Sequence, residues 1–171
     1  ETSELIAILW HQGESDSHSE KYKDYYQKLN ALVNSLRKEL GVLEVPFIVG
    51  GLGDYLGKSG FGRSCVEYDL INQELLRYAE NNSNCYFVTG EGLYSNPDGI
   101  HINAESQRRL GIRYFEAYQT KSNVDNPLDG EAEIVRVCCE KEQTIAEKRY
   151  ITLEQYTLGK SSLEEVMKFL K

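Results

Sequence analysis

Leu5-Ile6-Ala7-Ile8-Leu9-Trp10 is an unbroken apolar run that passes directly into the polar stretch His11-Gln12-Gly13-Glu14-Ser15-Asp16. Only a strand covered on both faces drops polar alternation, so the run reads as a buried strand opening into a loop. Val45 to Val49 and Cys85 to Thr89 read as two further strands. Between them, apolar residues recur at helical spacing. Tyr22, Tyr26, Leu29, Leu32, Val33, Leu36 and Leu40 predict a helix that Gly41 stops, with Ser17 to Glu20 offering caps at its start. Val66, Leu70, Ile71, Leu75 and Tyr78 predict a second helix over about 64–80, and Leu110, Ile112, Tyr114, Phe115 and Tyr118 a third, capped by Asn103. Such alternation makes an α/β domain with a parallel sheet, because each helix is the crossover between neighbouring strands.

Three strands fall short of the roughly five of a doubly wound sheet. Residues 1–120 therefore read as the C-terminal portion of a domain whose first strands lie upstream. From Ser122 to Gly130, Asn, Asp, Pro and Gly accumulate, so 121–171 reads as a linker and a small appendage packing on that domain, without a chemical motif.

The net charge of −8 and the lack of any dense Lys/Arg cluster argue against a nucleic-acid partner, since phosphate binding needs a basic patch. No apolar run approaches the roughly 18 residues of a membrane span. Cys65, Cys85, Cys138 and Cys139 lack zinc spacing, and the adjacent pair is a poor disulfide candidate. Reduced thiols favour a cytoplasmic setting, although no targeting signal fixes a location.

Chemistry in an open α/β sheet gathers beyond the carboxyl ends of the strands. Asp98-Gly99-Ile100-His101 lies there, and a histidine acting as base needs a carboxylate on its other ring nitrogen. The alternative is an aspartate capping a turn beside a solvated histidine. Gln12-Gly13-Glu14 follows the first strand, where a Gln amide beside a glycine N–H can donate to an oxyanion, with Glu14 anchoring the loop; an ordinary polar loop is the alternative.

Two weaker signals are set aside. Ser15 follows a strand, but Ser17 stands where a nucleophile elbow needs its second glycine. Gly51 to Ser59 resembles a phosphate loop with one residue too many between its glycines, so these glycines are expected to shape a substrate-side loop.

Trp10-His11-Gln12-Gly13-Glu14-Ser15-Asp16 taken with Asp98-Gly99-Ile100-His101 resembles the acetylxylan-esterase and sialate O-acetylesterase branch of the SGNH hydrolases, over roughly Leu5 to Tyr118. The resemblance implies a flavodoxin-like three-layer α/β/α sandwich, no metal or organic cofactor, and removal of acetyl groups from sugar hydroxyls. It also implies His101 as general base, Asp98 as its orienting carboxylate, and Gln12 as oxyanion donor, with Gly13 and Glu14 in support. The family's nucleophile is the serine of a Gly-Gln-Ser-Asn stretch, which these 171 residues lack. An upstream part of the same protein is expected to supply it, leaving this chain alone inactive. The rival expectation is a non-catalytic carbohydrate-binding or scaffolding module on the same fold.

Overall fold

The computed structural model describes residues 3–140 and 143–168. Its first compact unit, Glu1–Val135, is built on a parallel three-stranded sheet in the order β1-β2-β3. The strands are β1 (Ile8–Trp10), β2 (Phe47–Gly50) and β3 (Cys85–Val88). Phe47 pairs with Ile8 on one side and with Cys85 on the other. The crossovers are α1 (Tyr22–Leu40) and α2 (Tyr68–Asn81), and α3 (Ala104–Thr120) follows β3. This is the mixed α/β architecture with parallel strands expected from the sequence, an incomplete flavodoxin-like sandwich.

Pleating assigns the layers. Phe47 meets Tyr78 of α2 edge-on at 6.4 Å, and Tyr78 meets Tyr26 of α1 at 5.5 Å. Gly50, three residues on and on the opposite face, lies against the Tyr114 hydroxyl of α3. The sheet is therefore sandwiched, and β2 at its centre is buried throughout.

Helix α1 shows why its limits were legible. Tyr25, Leu29 and Val33 recur every fourth residue on the buried face, and Gly41 ends the helix in the left-handed region with its N–H on the Arg37 and Lys38 carbonyls. The proposed caps at its start do not cap it. Ser17 is buried and instead donates from Oγ to the Gly13 carbonyl at 2.8 Å. At α3 the cap is as read: Asn103 Oδ1 accepts from Ser106 N at 2.8 Å.

Two expectations need correction. The first strand is not covered on both faces, because Leu9 stays 55% exposed, and among the described residues β1 pairs with β2 alone. The second helix begins later than about 64, because residues 60–64 form a separate 3-10 turn before α2.

The segment read as a linker carries structure of its own. Val124 bridges Val88 in parallel, with Thr89 N donating to Val124 O and Val124 N to Phe87 O, each at 2.8 Å. The compact unit consequently runs past 120 to Val135. It is closed by Glu131, at the start of α4 (Glu131–Cys139), whose carboxylate takes Arg113 Nε at 2.8 Å and Arg109 Nε at 2.8 Å. Arg113 is completely buried, and its Nη1 donates to the Thr89 and Glu91 carbonyls after β3.

The second unit, Arg136–Lys171, contains α5 (Ile145–Thr157) and α6 (Leu163–Met167), which pack together. Thr144 with Glu147, and Ser162 with Glu165, form reciprocal capping boxes at their starts. Among the described residues no helix is long and apolar enough to cross a membrane.

Burial alone would raise the Glu131 pKa, but the two guanidiniums outweigh it and hold the carboxyl below its ordinary 4.5. A depressed folded-state pKa contributes stability that is present above the unfolded value and lost as pH falls through the folded one. The resistance of the wild type to urea should therefore weaken as pH drops below 4.5. Glu131→Gln, which leaves the Arg113 charge buried without a counter-charge, should lose about 3–5 kcal/mol at neutral pH and show a shallower acid dependence.

Candidate active site

The loop leaving β3 folds back on itself before α3. Asn96 N donates to His101 O at 2.7 Å and Asn103 N to Tyr94 O at 2.9 Å, closing a turn with Asp98 and Gly99 at its tip. Within it Asp98 is the organising group. Its Oδ1 accepts from the N–H groups of Ile100 and His101 at 3.0 Å each, and its Oδ2 lies 2.8 Å from His101 Nδ1. The Ile100 N–H, then the His101 ring and N–H, hold the carboxyl down to about 2. An ionised Asp98 can only accept, so the imidazole proton sits on Nδ1 and the lone pair on Nε2. The His101 side chain is 76% exposed, and among the described residues Nε2 has no hydrogen-bond partner.

The loop leaving β1 is held just as closely. Gly13 has φ +149°, and a Cβ there would come within 2.7 Å of Ile71 on α2, so the residue brings the loop down onto that helix. Glu14 ties the loop together, its Oε2 accepting from Gly13 N at 3.1 Å and its carbonyl from Cys65 Sγ at 3.2 Å. That first bond occupies the Gly13 N–H, which the sequence had offered as a second oxyanion donor.

A half-enclosed cleft of about 380 Å³ separates the two loops, lined by His11, Glu14, Ser15, Ile100, His101, Ile102 and Gln107. His101 and Glu14 line this cleft together, whereas Gln12, which the sequence reading set beside His101, does not join them. Its carboxamide lines a neighbouring hollow of about 250 Å³ with Trp10, Asp16, Tyr25, Lys28, Leu29 and Leu32. Alternation along extended chain explains the separation, since residues 10 and 12 project to one side and 11 to the other. Gln12 is firmly held there. Nε2 donates to Asp16 Oδ2 at 3.0 Å, and the Tyr25 hydroxyl lies 2.8 Å from the Gln12 carbonyl and 3.2 Å from its Oε1. A primary amide has two N–H donors. One has no partner among the described residues.

Sequence reasoning missed His11 as a cleft residue. Burial holds it below the usual imidazole range against the opposing pull of Glu14 and the Gly51 backbone, and its buried Nε2 has no hydrogen-bond partner among the described residues. The alternation that displaces Gln12 was the available signal. Sequence reasoning did not single out Tyr25 either, although it lies four residues before Leu29 on the buried face of α1.

Carbon-detected titration of the Asp98 carboxyl should give a midpoint near 2 in the wild type, and His101→Ala should move it partway toward 3.8. A wild-type midpoint at the ordinary value would mean that the carboxylate does not fix the histidine tautomer.

Comparison with known proteins finds relatives of this chain. A probable carbohydrate esterase of Arabidopsis thaliana is 28% identical over 119 residues, which are 67% of this chain and 40% of that protein. The X-ray structure of the protein from the same Arabidopsis locus superposes with a TM-score of 0.57 at 27% identity, covering 68% of this chain and 45% of the other. The chain thus spans less than half the length of this relative. Residues 1–120, carrying both loops, match the family described as carbohydrate esterase, sialic acid-specific acetylesterase. By that match, the chain belongs to the sialic acid-specific acetylesterase family of carbohydrate esterases.

Proposed function

We propose that the protein is a serine-type carbohydrate O-acetylesterase, removing acetyl groups from the hydroxyls of acetylated sugars or xylan fragments. The observation that carries this reading is the Asp98–His101 pair, joined at 2.8 Å through Nδ1 with Nε2 left free. A serine from sequence outside these 171 residues attacks the acetyl carbonyl while His101 Nε2 takes its proton. The same proton then goes to the departing sugar oxygen. Water, deprotonated in turn by His101, attacks the acetyl-serine carbonyl, and Nε2 returns that proton to the serine oxygen as acetate leaves. Gln12 offers its unpartnered N–H to the oxyanion, and Asp16 and Tyr25 keep the amide from turning.

In the full-length enzyme, Gln12→Ala should lower turnover of p-nitrophenyl acetate by about 10²–10³, and His101→Ala by more. Near-wild-type hydrolysis by both variants would remove the assignment. One feature favours a second reading, in which Ser15 is the nucleophile: Ser15 is exposed and lines the same cleft as His101. That reading requires a fluorophosphonate probe to label this chain at Ser15; the upstream-serine reading requires that it does not.

A further inference from the structure

The glycine-rich stretch after β2, which the acyl-transfer chemistry leaves unused, ends against the back of the Asp98–His101 turn. Phe61 N donates to the Asp98 carbonyl at 2.8 Å, and Gly57 N closes its own loop onto Gly62 O at 2.9 Å. On either side of Phe61 the approach is backbone to backbone. A Cβ on Gly60 would collide with the Asp98 carbonyl, one on Gly62 with the Gly99 carbonyl, and one on Gly99 with the Ser59 carbonyl. These obstacles are main chain and cannot swing aside as a side-chain tip would. Gly60 is further restricted by its φ of +56°.

We propose that Gly60 and Gly62 are positioning residues for the Asp98–His101 pair, their bare backbone forming the seat on which the turn holds its histidine toward the cleft. The proposal rests on the reading of that pair as the catalytic base. The exposed imidazole has little packing of its own, so its place is set by the turn beneath it. Adding a methyl group to the seat forces the two backbones apart by on the order of 1 Å, and a misplacement of that size at a catalytic group costs about 10²-fold in rate. Neither glycine lines the cleft, so the loss falls on kcat.

The histidine tautomer reports the seat directly. In this chain, long-range ¹⁵N–¹H spectra in mildly alkaline buffer should show His101 as the Nδ1–H form. Gly62→Ala should shift it toward the Nε2–H form that an unconstrained imidazole prefers. Gly41→Ala is the control, because its left-handed φ of +67° also resists a side chain but open space surrounds it at the far end of α1. It should lower stability and leave the tautomer unchanged. In the full-length enzyme Gly62→Ala should lower kcat about 10²-fold, with KM within about twofold.

Should Gly62→Ala fail to fold, native-state hydrogen exchange of the wild type decides instead. The amides of Phe61, Ile100 and His101 should open as one unit with a common protection factor. Independent exchange of Phe61, or a Gly62→Ala variant with the Nδ1–H tautomer and wild-type kcat, overturns the proposal. Full activity in His101→Ala would instead sink the reading of the pair as the base, whatever the tautomer does in Gly62→Ala.

Discussion

Parallel pairing is the constraint from which the site follows. Because β1, β2 and β3 run the same way, the loops that leave them emerge at one end of the sheet. The first brings Gln12, Gly13 and Glu14, the second the glycines, and the third Asp98 and His101. Residues almost ninety positions apart in sequence meet there without any direct link between their loops. An antiparallel sheet of the same strands would have sent the middle loop to the other end and left the third loop without its seat.

What the loops need beyond proximity is rigidity, and each obtains it from a different source. The first is pulled onto α2 by Gly13 and tied by Ser17 and Glu14. The second is clamped by Asn72 of α2, whose side chain both accepts from Leu52 N and donates to Leu52 O, at 2.7 and 2.9 Å. The third is bracketed by the Asn103 cap in front of α3 and by Arg113, which reaches through the core to the carbonyls just after β3. Arg113 cannot hold those carbonyls without a counter-charge in the same buried space. Glu131 supplies it from beyond the apparent linker.

That dependence marks where the sequence could be read and where it could not. The limits of α1 follow from a four-residue recurrence and a glycine, and the cap of α3 from one asparagine, because both are local signals. The Asp98-Gly99-Ile100-His101 turn was legible for the same reason, since its partners lie within three residues of each other. Glu131 was not, because nothing around it distinguishes a charge that will be buried against Arg113 from one on a solvated helix start. Gln12 shows a subtler limit. Its residue type announced an amide donor, but the side on which the amide falls depends on strand parity, and parity counted from Trp10 places it with Tyr25 rather than with His101.

The seat under the histidine answers a problem set by exposure. A hydrogen-bonded pair with a largely solvated imidazole competes with water and contributes little to its own geometry. Nothing in the Asp98–His101 contact alone would keep the ring pointed at one substrate atom. Asp98 therefore spends one oxygen on two backbone N–H groups and only the other on the ring, so the carboxylate is fixed before the histidine is. Its own carbonyl is in turn fixed by Phe61 N between the two glycines. Orientation passes from backbone to carboxylate to imidazole, and only the last of these need face solvent. On the proposed reading, an imidazole that takes a proton from a nucleophile and returns it to a sugar oxygen has to stay accessible, so the precision it lacks through packing has to be supplied from behind.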